Sequence, residues 1–203
     1  MAKRTVVKKV QNAVLYSDGL IRIDNVRLSY PHLGKPYAGQ DGGEPKYSAT
    51  ALLPKASHKE AKDLVIAEIT RLETEAKFKV AADKKFIRNG DDSGKPENEG
   101  MWTVSAREAN APILRDRNNA NVERVDAERV FYGGCWVNLV IRPWMQNNKF
   151  GKRVNANLSM VQFVRDDKAF GEGRISEDDA DDILAASDDG VTQADEREEE
   201  DAL

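Results

Sequence analysis

The stretch VFYGGCWVNLVIRPW, residues 130–144, alternates like a β-strand that has two different faces. Successive side chains of a strand point to opposite sides of its sheet. The odd positions are apolar: Phe131, Cys135, Val137, Leu139 and Ile141. The even positions are Tyr132, Trp136, Asn138, Val140, Arg142 and Trp144. The pattern predicts a strand whose odd face packs into a core, while its even face carries aromatic rings beside an arginine.

Strand patterns also occur at residues 20–31, 46–54, 101–107 and 149–166. In the first of these the apolar phase changes at Asp24-Asn25, which predicts a bulge. In the last, one face is formed by even positions: Val154, Ala156, Leu158, Met160, Gln162 and Val164. Polar, glycine-rich sequence predicts loops at 32–45 and 88–100, and a loop with a short β-bridge or helical turn at 115–130.

One helix is predicted, over residues 57–80. Ser57 and Glu60 have the spacing of a capping box at its start. Its apolar face has helical periodicity and consists of Ala61, Leu64, Val65, Ile69, Leu72 and Ala76. Strands that are not regularly separated by helices disfavour a parallel sheet. The predicted class is therefore mainly β with one substantial helix, as a five-stranded OB-like partly open barrel with long loops.

Charged residues are distributed unevenly along the chain. Residues 172–203 hold 14 acids and 2 bases, a net charge of −12, while residues 1–171 hold 29 bases and 21 acids, a net charge of +8. This asymmetry indicates a nucleic-acid-binding body and an interaction tail, although a tail that serves only solubility is the alternative. We expect a basic N-terminal arm at 1–19, an OB-fold DNA-binding domain at 20–171 and an acidic flexible tail at 172–203.

Enzyme chemistry finds little support in the sequence. Neither His32 nor His58 lies in a recognisable catalytic arrangement, and with the single cysteine, Cys135, they make no zinc-ligand spacing. Asp91-Asp92 is more typical of a turn than of a cation site. We therefore expect no catalytic residue, no cofactor and no metal. No apolar run approaches the ~20 residues of a membrane span, and the basic start lacks a signal core, so a cytosolic protein is expected.

Aromatic and basic residues are interleaved along the predicted strands. Binding of single strands needs cations for phosphates and rings on which bases stack. Trp102 is assigned to the core beside Val104 and Ala106, and Gly133-Gly134 is interpreted as a curl of the strand or a close backbone approach. The predicted DNA-binding residues are Tyr30, Lys35, Tyr37, Lys46, Tyr47, Arg107, Tyr132, Trp136, Arg142, Trp144, Lys149, Phe150, Lys152 and Arg153.

Six short motifs then occur in a fixed order. They are SYPHL (29–33), KYSATALLPK (46–55), NGD (89–91), GMWTVSAR (100–107), YGGCWVN (132–138) and NLSMVQFVRD (157–166), followed by the acidic tail. Over about residues 10–185 the sequence resembles a family of single-stranded DNA-binding proteins of tailed bacteriophages, long catalogued as a domain of unknown function. The resemblance implies an OB fold, sequence-independent binding of single strands, and a role in phage DNA replication or recombination in the cytoplasm of the infected bacterial host.

The end of the chain, EREEEDAL, resembles the acidic tails of other single-strand-binding proteins. Residues expected to recruit replication or recombination proteins are Glu198, Glu199, Glu200, Asp201 and Leu203. A tethered acidic segment also has a high effective concentration at a basic groove, so we expect it to compete with DNA.

Several alternatives stay open at this point. One is a protein-interaction module whose DNA-mimicking tail blocks a host nuclease. Another is a metal-dependent nuclease that uses Asp91 and Asp92. Duplex binding in the absence of the tail, and a homodimer formed through an exposed strand edge, are also open.

Overall fold

The computed structural model of the chain describes residues 4–39 and 42–171. Contacts within the chain define a compact unit that ends at Phe170. The predictions for the acidic tail, including those for Glu198, Glu199, Glu200, Asp201 and Leu203, lie outside the described residues.

Nine strands and two helices make up the described part of the chain. The strands are β1 Val6–Val10, β2 Ala13–Tyr16, β3 Ile21–Tyr37, β4 Lys46–Pro54, β5 Ile87–Asn89, β6 Met101–Glu108, β7 Ile113–Arg115, β8 Trp136–Asn148 and β9 Gly151–Arg165. The helices are α1 Lys59–Ala76 and α2 Ala127–Val130. Short 3₁₀ turns lie at Ala82–Lys84, Gly90–Ser93, Pro96–Asn98 and Arg124–Asp126. Neither α1 nor α2 is long and apolar enough to cross a membrane.

The strands form one sheet in the order β5-β6-β4-β3-β8-β9-β7, with the β1–β2 hairpin attached to β3. Neighbours are antiparallel except β7 and β9. The sheet curls, because β6 also contacts β9 and a bridge joins Lys85 to Val154. The five long strands β3, β4, β6, β8 and β9 therefore form a partly open barrel, and the predicted fold class is confirmed with four short strands added to it.

The odd positions of residues 130–144 lie in the core, where Val137, Leu139 and Ile141 are fully buried. The strand itself, however, begins only at Trp136. Phe131 and Cys135 reach the core from the turn that follows α2, and Tyr132 lies in that turn. The prediction that Tyr132 shares a strand face with Trp136 is wrong, because Gly134 has a φ of +113° and ends the alternation there.

Helix α1 is shorter than predicted, and the capping box is wrong. The Ser57 hydroxyl contacts Nδ1 of His58 at 2.8 Å, while the Glu60 carboxylate accepts the Gln11 backbone N–H at 3.1 Å. Both side chains thus serve contacts outside the first turn of the helix. At the other end, Lys77 adopts a left-handed conformation that stops the helix after Ala76.

Two further regions differ from their predictions. Residues 6–16 form a hairpin instead of an arm, because Ala13 and Val14 bury their side chains against the sheet. Strand β3 continues to Tyr37, through sequence predicted as loop, since Tyr37 pairs with Lys46 of β4.

Two of the register shifts explain changes of phase in β3 and β9. The predicted bulge at Asp24-Asn25 is confirmed, because the pairing of β3 with β8 shifts between Ile23 and Val26. A second shift between Val140 and Ile141 was not predicted. It moves the buried phase of β9 from Leu158 to Val161 and Phe163, so the prediction of one even face from 154 to 164 is wrong beyond Leu158.

Candidate nucleic-acid interface

A groove lies on the outer face of the sheet, across β3, β4 and β6. Cross-strand pairing sets Thr50 beside Ser105, and Ser48 between His32 and Arg107. Tyr37 and Lys46 pair at the end of β3. These residues and Tyr30 line a cavity of about 190 Å³.

Aromatic rings form one wall of the groove. The rings of His32 and Tyr37 stack with their centroids 4.5 Å apart and an angle of 16° between their planes. Tyr37 is 50% exposed and Tyr30 is 55% exposed, so both rings are accessible to a ligand. Stacked flat rings at the mouth of a cavity are suited to continue a stack with a planar base.

Tyr30 has a φ of +46°, a conformation that costs energy for a bulky residue and that surrounding contacts must maintain. Lys95 supplies two of these contacts. Its ammonium lies 4.2 Å from the centroid of the Tyr30 ring and donates a hydrogen bond to the Tyr30 hydroxyl at 2.9 Å. That hydroxyl donates in turn to Glu97 at 3.2 Å. The loop between β5 and β6 thereby holds Tyr30 in place.

The rest of the groove combines cations with a small polar floor. Arg107 lies near the end of β6, and Lys46 lies 3.7 Å from the Glu44 carboxylate at the groove edge. The floor carries Ser48, Thr50 and Ser105, and the hydroxyls of the last two are 3.3 Å apart. Small side chains leave room for a base, and the cations suit phosphates.

Four predicted residues therefore meet in this groove: Tyr30, Tyr37, Lys46 and Arg107. Lys35 is exposed on β3 near them but does not line the groove. Tyr47 faces the other side of β4, where Arg124 lies 5.4 Å from its ring centroid. His32 and Lys95 were missed. The sequence offered a signal for His32, because it lies two residues after Tyr30 in the SYPHL motif. It offered none for Lys95, which lies in a polar loop without a periodic pattern.

A second cluster forms around Trp136, whose register partners are Arg27 on β3 and Arg165 on β9. The guanidinium of Arg165 lies 4.1 Å from the Trp136 ring centroid, and that of Arg27 lies 6.0 Å from it. Residues 166–170, called the strap below, cover this cluster. The indole N–H of Trp136 donates to the Asp167 carboxylate at 2.6 Å.

The strap makes further contacts to the same cluster. Arg27 donates to the carbonyl of Lys168 at 2.7 Å and lies 4.4 Å from the Phe170 ring centroid. The Tyr132 hydroxyl donates to the Asp166 carboxylate at 3.0 Å. Hydrogen bonds from the Trp136 indole and the Lys168 backbone lower the pKa of Asp167, whereas burial raises the pKa of Tyr132.

Gly134 lets the strap approach. A Cβ at Gly134 would lie 2.4 Å from the Lys168 carbonyl oxygen and 2.9 Å from Cα of Ala169. The neighbouring Gly133 accepts the Phe170 backbone N–H at 2.9 Å. Of the two interpretations of Gly133-Gly134, the close backbone approach is therefore confirmed.

A third group lies at the hairpin that joins β8 and β9. The pairing of β3 with β8 reaches only Ile21 with Ile141, so Trp144 and Phe150 extend past the end of β3 that is remote from Tyr37. Trp144 is 40% exposed and Phe150 is 73% exposed, with Lys149 5.1 Å from the Phe150 ring centroid.

The basic residues of this third group have their own contacts. Arg142 donates to Asp18 at 3.2 Å. Lys152 lies 4.8 Å from the ring centroid of Phe78, and Arg153 pairs across the hairpin with Gln146. Apart from Lys35 and Tyr47, the predicted DNA-binding residues thus separate into the groove, the Trp136 cluster and this hairpin.

Other reactive groups serve the fold. The Asp91 carboxylate is bound by the Lys55 ammonium and by the Gly100 backbone N–H, so it holds a turn together. Burial raises the pKa of the Cys135 thiol to about 12 and lowers the pKa of His58. Within residues 4–39 and 42–171, no group of three His, Cys, Asp or Glu side chains is placed to hold a metal.

A partly open barrel with a groove of rings and cations on its outer face defines a protein of the OB type, a class that binds nucleic acids and sugars on this face. The chain belongs to the family described as the ssDNA-binding protein of Enterobacter phage Enc34, which matches residues 20–192. This confirms the resemblance that the sequence motifs indicated.

Two solved structures and a further phage protein are similar to this chain. The single-stranded DNA-binding protein from bacteriophage Enc34, determined in complex with ssDNA, is 47% identical, with a TM-score of 0.80 over 84% of this chain and 100% of that chain. Putative protein p50 of Acyrthosiphon pisum secondary endosymbiont phage 1 is 31% identical over 178 residues, which are 82% of this chain and 95% of p50. The single-stranded DNA-binding protein gp2.5 of bacteriophage T7, at 14% identity and a TM-score of 0.51 over 78% of this chain and 98% of that chain, shares the fold.

Proposed function

We propose that this protein binds single-stranded DNA without reading its sequence and that the groove across β3, β4 and β6 is the primary site. The observation that carries the proposal is the meeting of exposed Tyr30 and Tyr37 with Lys46 and Arg107 around one cavity. A 47% identical relative was solved in complex with ssDNA, which supports the same ligand for this chain.

Each part of the groove has a separate task. The rings of Tyr37 and Tyr30 stack on bases, an interaction of about 1–3 kcal/mol per base that every base can make. Lys46 and Arg107 contact phosphates, and each such contact steepens the dependence of affinity on salt. The hydroxyls of the floor accept or donate hydrogen bonds with any base edge, so binding tolerates all sequences.

The remaining exposed residues extend the path of the strand. Lys35 adds an exposed cation on β3 beside the groove, and the hairpin contributes Trp144, Lys149, Phe150, Lys152 and Arg153. Arg142 contributes less, because Asp18 already neutralises it. Tyr47 has no part in this path, since its ring lies on the other side of β4 under Arg124.

We place the activity in phage DNA replication or recombination, in the cytoplasm of the infected bacterial host. The acidic tail competes with DNA for the basic body and recruits partner proteins when DNA releases it. Without the tail, phosphate contacts alone also permit duplex binding. A homodimer through an exposed edge strand such as β1 is compatible with this role.

Titration of a labelled oligo(dT) with the full chain and with residues 1–171, followed by fluorescence anisotropy at low and high salt, tests the proposal. We expect binding by both proteins, weaker at high salt, and tighter for the truncated one. Equal affinity of the two at low salt would rule out competition by the tail. If neither protein bound the oligonucleotide, single-strand binding itself would be wrong.

A further inference from the structure

The Trp136 cluster and the groove lie on the same face of the sheet. Arg27 and Ser29 are two residues apart on β3 and point to the same side, and Ser29 pairs with Thr50 of the groove floor. The rows that contain them are therefore about 7 Å apart. Ser29 itself is buried, so the next partly accessible side chain along β3 on this face is Arg27, which lies beside Trp136 and Arg165.

The strap places groups on this cluster that match those of a nucleotide. The Asp167 carboxylate lies 2.6 Å from the Trp136 indole nitrogen, 3.7 Å from the Arg27 guanidinium and 4.0 Å from that of Arg165, as a phosphate would. The Phe170 ring lies over Arg27, where a base would stack on the guanidinium plane. An anion and a flat ring of the strap thus contact the positions on Arg27, Trp136 and Arg165 where a nucleotide would bind.

We propose that Arg27, Trp136 and Arg165 form a second nucleotide subsite, which residues 166–170 of the same chain occupy in the absence of DNA and which single-stranded DNA takes over by displacing them. This inference rests on the proposed function, since it concerns the continuation of the same DNA path. It differs from competition by the acidic tail, because it assigns specific atoms of the strap to specific atoms of a nucleotide.

The exchange involves like groups, so it requires little free energy. A phosphate replaces the Asp167 carboxylate beside the same arginines, and a base replaces the Phe170 ring. Residues 166–168 of the strap are exposed, and a single backbone–backbone hydrogen bond, from Phe170 to Gly133, anchors its end. Its other contacts are made largely by side chains of the cluster, which a nucleotide would engage in its place. The residues from 172 onward carry a net charge of −12. Electrostatic repulsion between these residues and DNA phosphates therefore also favours release of the strap.

The first test follows the full chain by ¹⁵N NMR during an oligo(dT) titration, with the same samples measured by anisotropy. We expect the indole N–H signal of Trp136, assigned with a Trp136→Phe variant, to shift as DNA binds, and the Phe170 amide to lose protection from hydrogen exchange. The Trp102 indole is the internal control, because Trp102 packs against the core beside Lys62, 5.3 Å from its ring centroid.

The outcomes separate the two proposals. Saturated anisotropy with an unchanged Trp136 signal and a still protected Phe170 amide would overturn the second subsite while single-strand binding stands. Absence of any anisotropy change would instead overturn single-strand binding, and the subsite with it.

Variants of the strap give an independent test. Phe170→Ala, which changes no charge, is expected to tighten oligo(dT) binding by about two- to fivefold, because the arginine is then free to stack on a base. Asp167→Asn is compared with Asp63→Asn, a matched loss of an exposed carboxylate that pairs with Lys62 on α1. We expect Asp167→Asn to tighten binding several-fold more than its control. Unchanged or weaker binding by Phe170→Ala, or equal effects of the two asparagine variants, would overturn the proposal.

Discussion

The groove and the Trp136 cluster are built from the same kinds of residues and are in opposite states. In the groove, Tyr37 is half exposed, and the Arg107 guanidinium makes no hydrogen bond or ion pair to any other described residue. In the cluster, the Trp136 indole and the Arg27 guanidinium are both bonded to residues 166–170. Composition thus defines what each surface is able to bind, whereas coverage by the chain itself decides whether the surface is open.

The largest expected effect is a loss of stability on substitution of Gly134, whose lack of a Cβ lets the strap approach. Gly134→Ala should lower the free energy of unfolding by about 2–4 kcal/mol, because alanine disfavours a φ of +113° and its Cβ would clash with the Lys168 carbonyl. Urea unfolding measures this. Gly133→Ala is the control and should cost under about 1 kcal/mol, since its Cβ would meet only Phe170 Cδ2, at 3.8 Å. Equal losses for both variants would contradict the close approach at Gly134.

The open groove is tested at Tyr37, an exposed ring that stacks on His32. Tyr37→Ala should weaken oligo(dT) binding about tenfold, because it removes a stacking contact of about 1–3 kcal/mol. Tyr37→Phe retains the ring and should bind within about twofold of the wild type, since stacking needs only the ring face. Anisotropy titrations measure both. Equal loss in Tyr37→Phe would assign the effect to the hydroxyl and not to stacking.

A smaller effect on affinity is expected from Arg107, one of the two cations of the groove. Arg107→Ala should weaken binding about threefold to fivefold and lower the slope of log affinity against log salt by about 0.7, the contribution of one phosphate contact in a single strand. The matched control is Arg129→Ala on α2, where the side chain is exposed and paired with Asp126. An unchanged slope in Arg107→Ala would show that Arg107 contacts no phosphate.

The smallest effect concerns the charge of the strap. The pKa of folded Asp167 is lowered, so its stabilising contacts are present above the ordinary carboxyl pKa of about 4 and are lost as pH falls through the lower folded value. Wild type and Asp167→Asn should therefore differ in unfolding free energy at pH 6 and converge as pH falls below the ordinary carboxyl pKa. Asp167 is over one-third exposed, and screening keeps the difference below about 1 kcal/mol. A difference that grows on acidification would contradict this assignment.

Much of the fold is predictable because periodic burial is visible in the sequence. The five long strands, helix α1 and the bulge near Asp24-Asn25 follow from alternation and from its change of phase. The β1–β2 hairpin, the extension of β3 to Tyr37 and the phase change of β9 do not, because each depends on pairing with a distant strand. The capping box failed for the same reason, since Gln11 binds Glu60 across 49 residues.

The site was predictable in kind but not in arrangement. Alternation along β4 separates Lys46 from Tyr47, and a reader of the sequence cannot know which of the two faces is open. The content of aromatic and basic residues alone predicted that Tyr37, Trp136 and Phe150 all bind DNA. Strand register places these three residues in three separate regions.

The sequence by itself determined a mainly β body, its apolar core, its charge asymmetry and its membership in a phage single-strand-binding family. Only the tertiary structure decided which rings face an open groove and which are covered. The physical reason is distance along the chain: Arg27 binds a carbonyl 141 residues away, and Gly134 makes room for that backbone by lacking a Cβ. Local periodicity records which side of a strand is apolar, but it holds no information about the distant segment that lies on the other side.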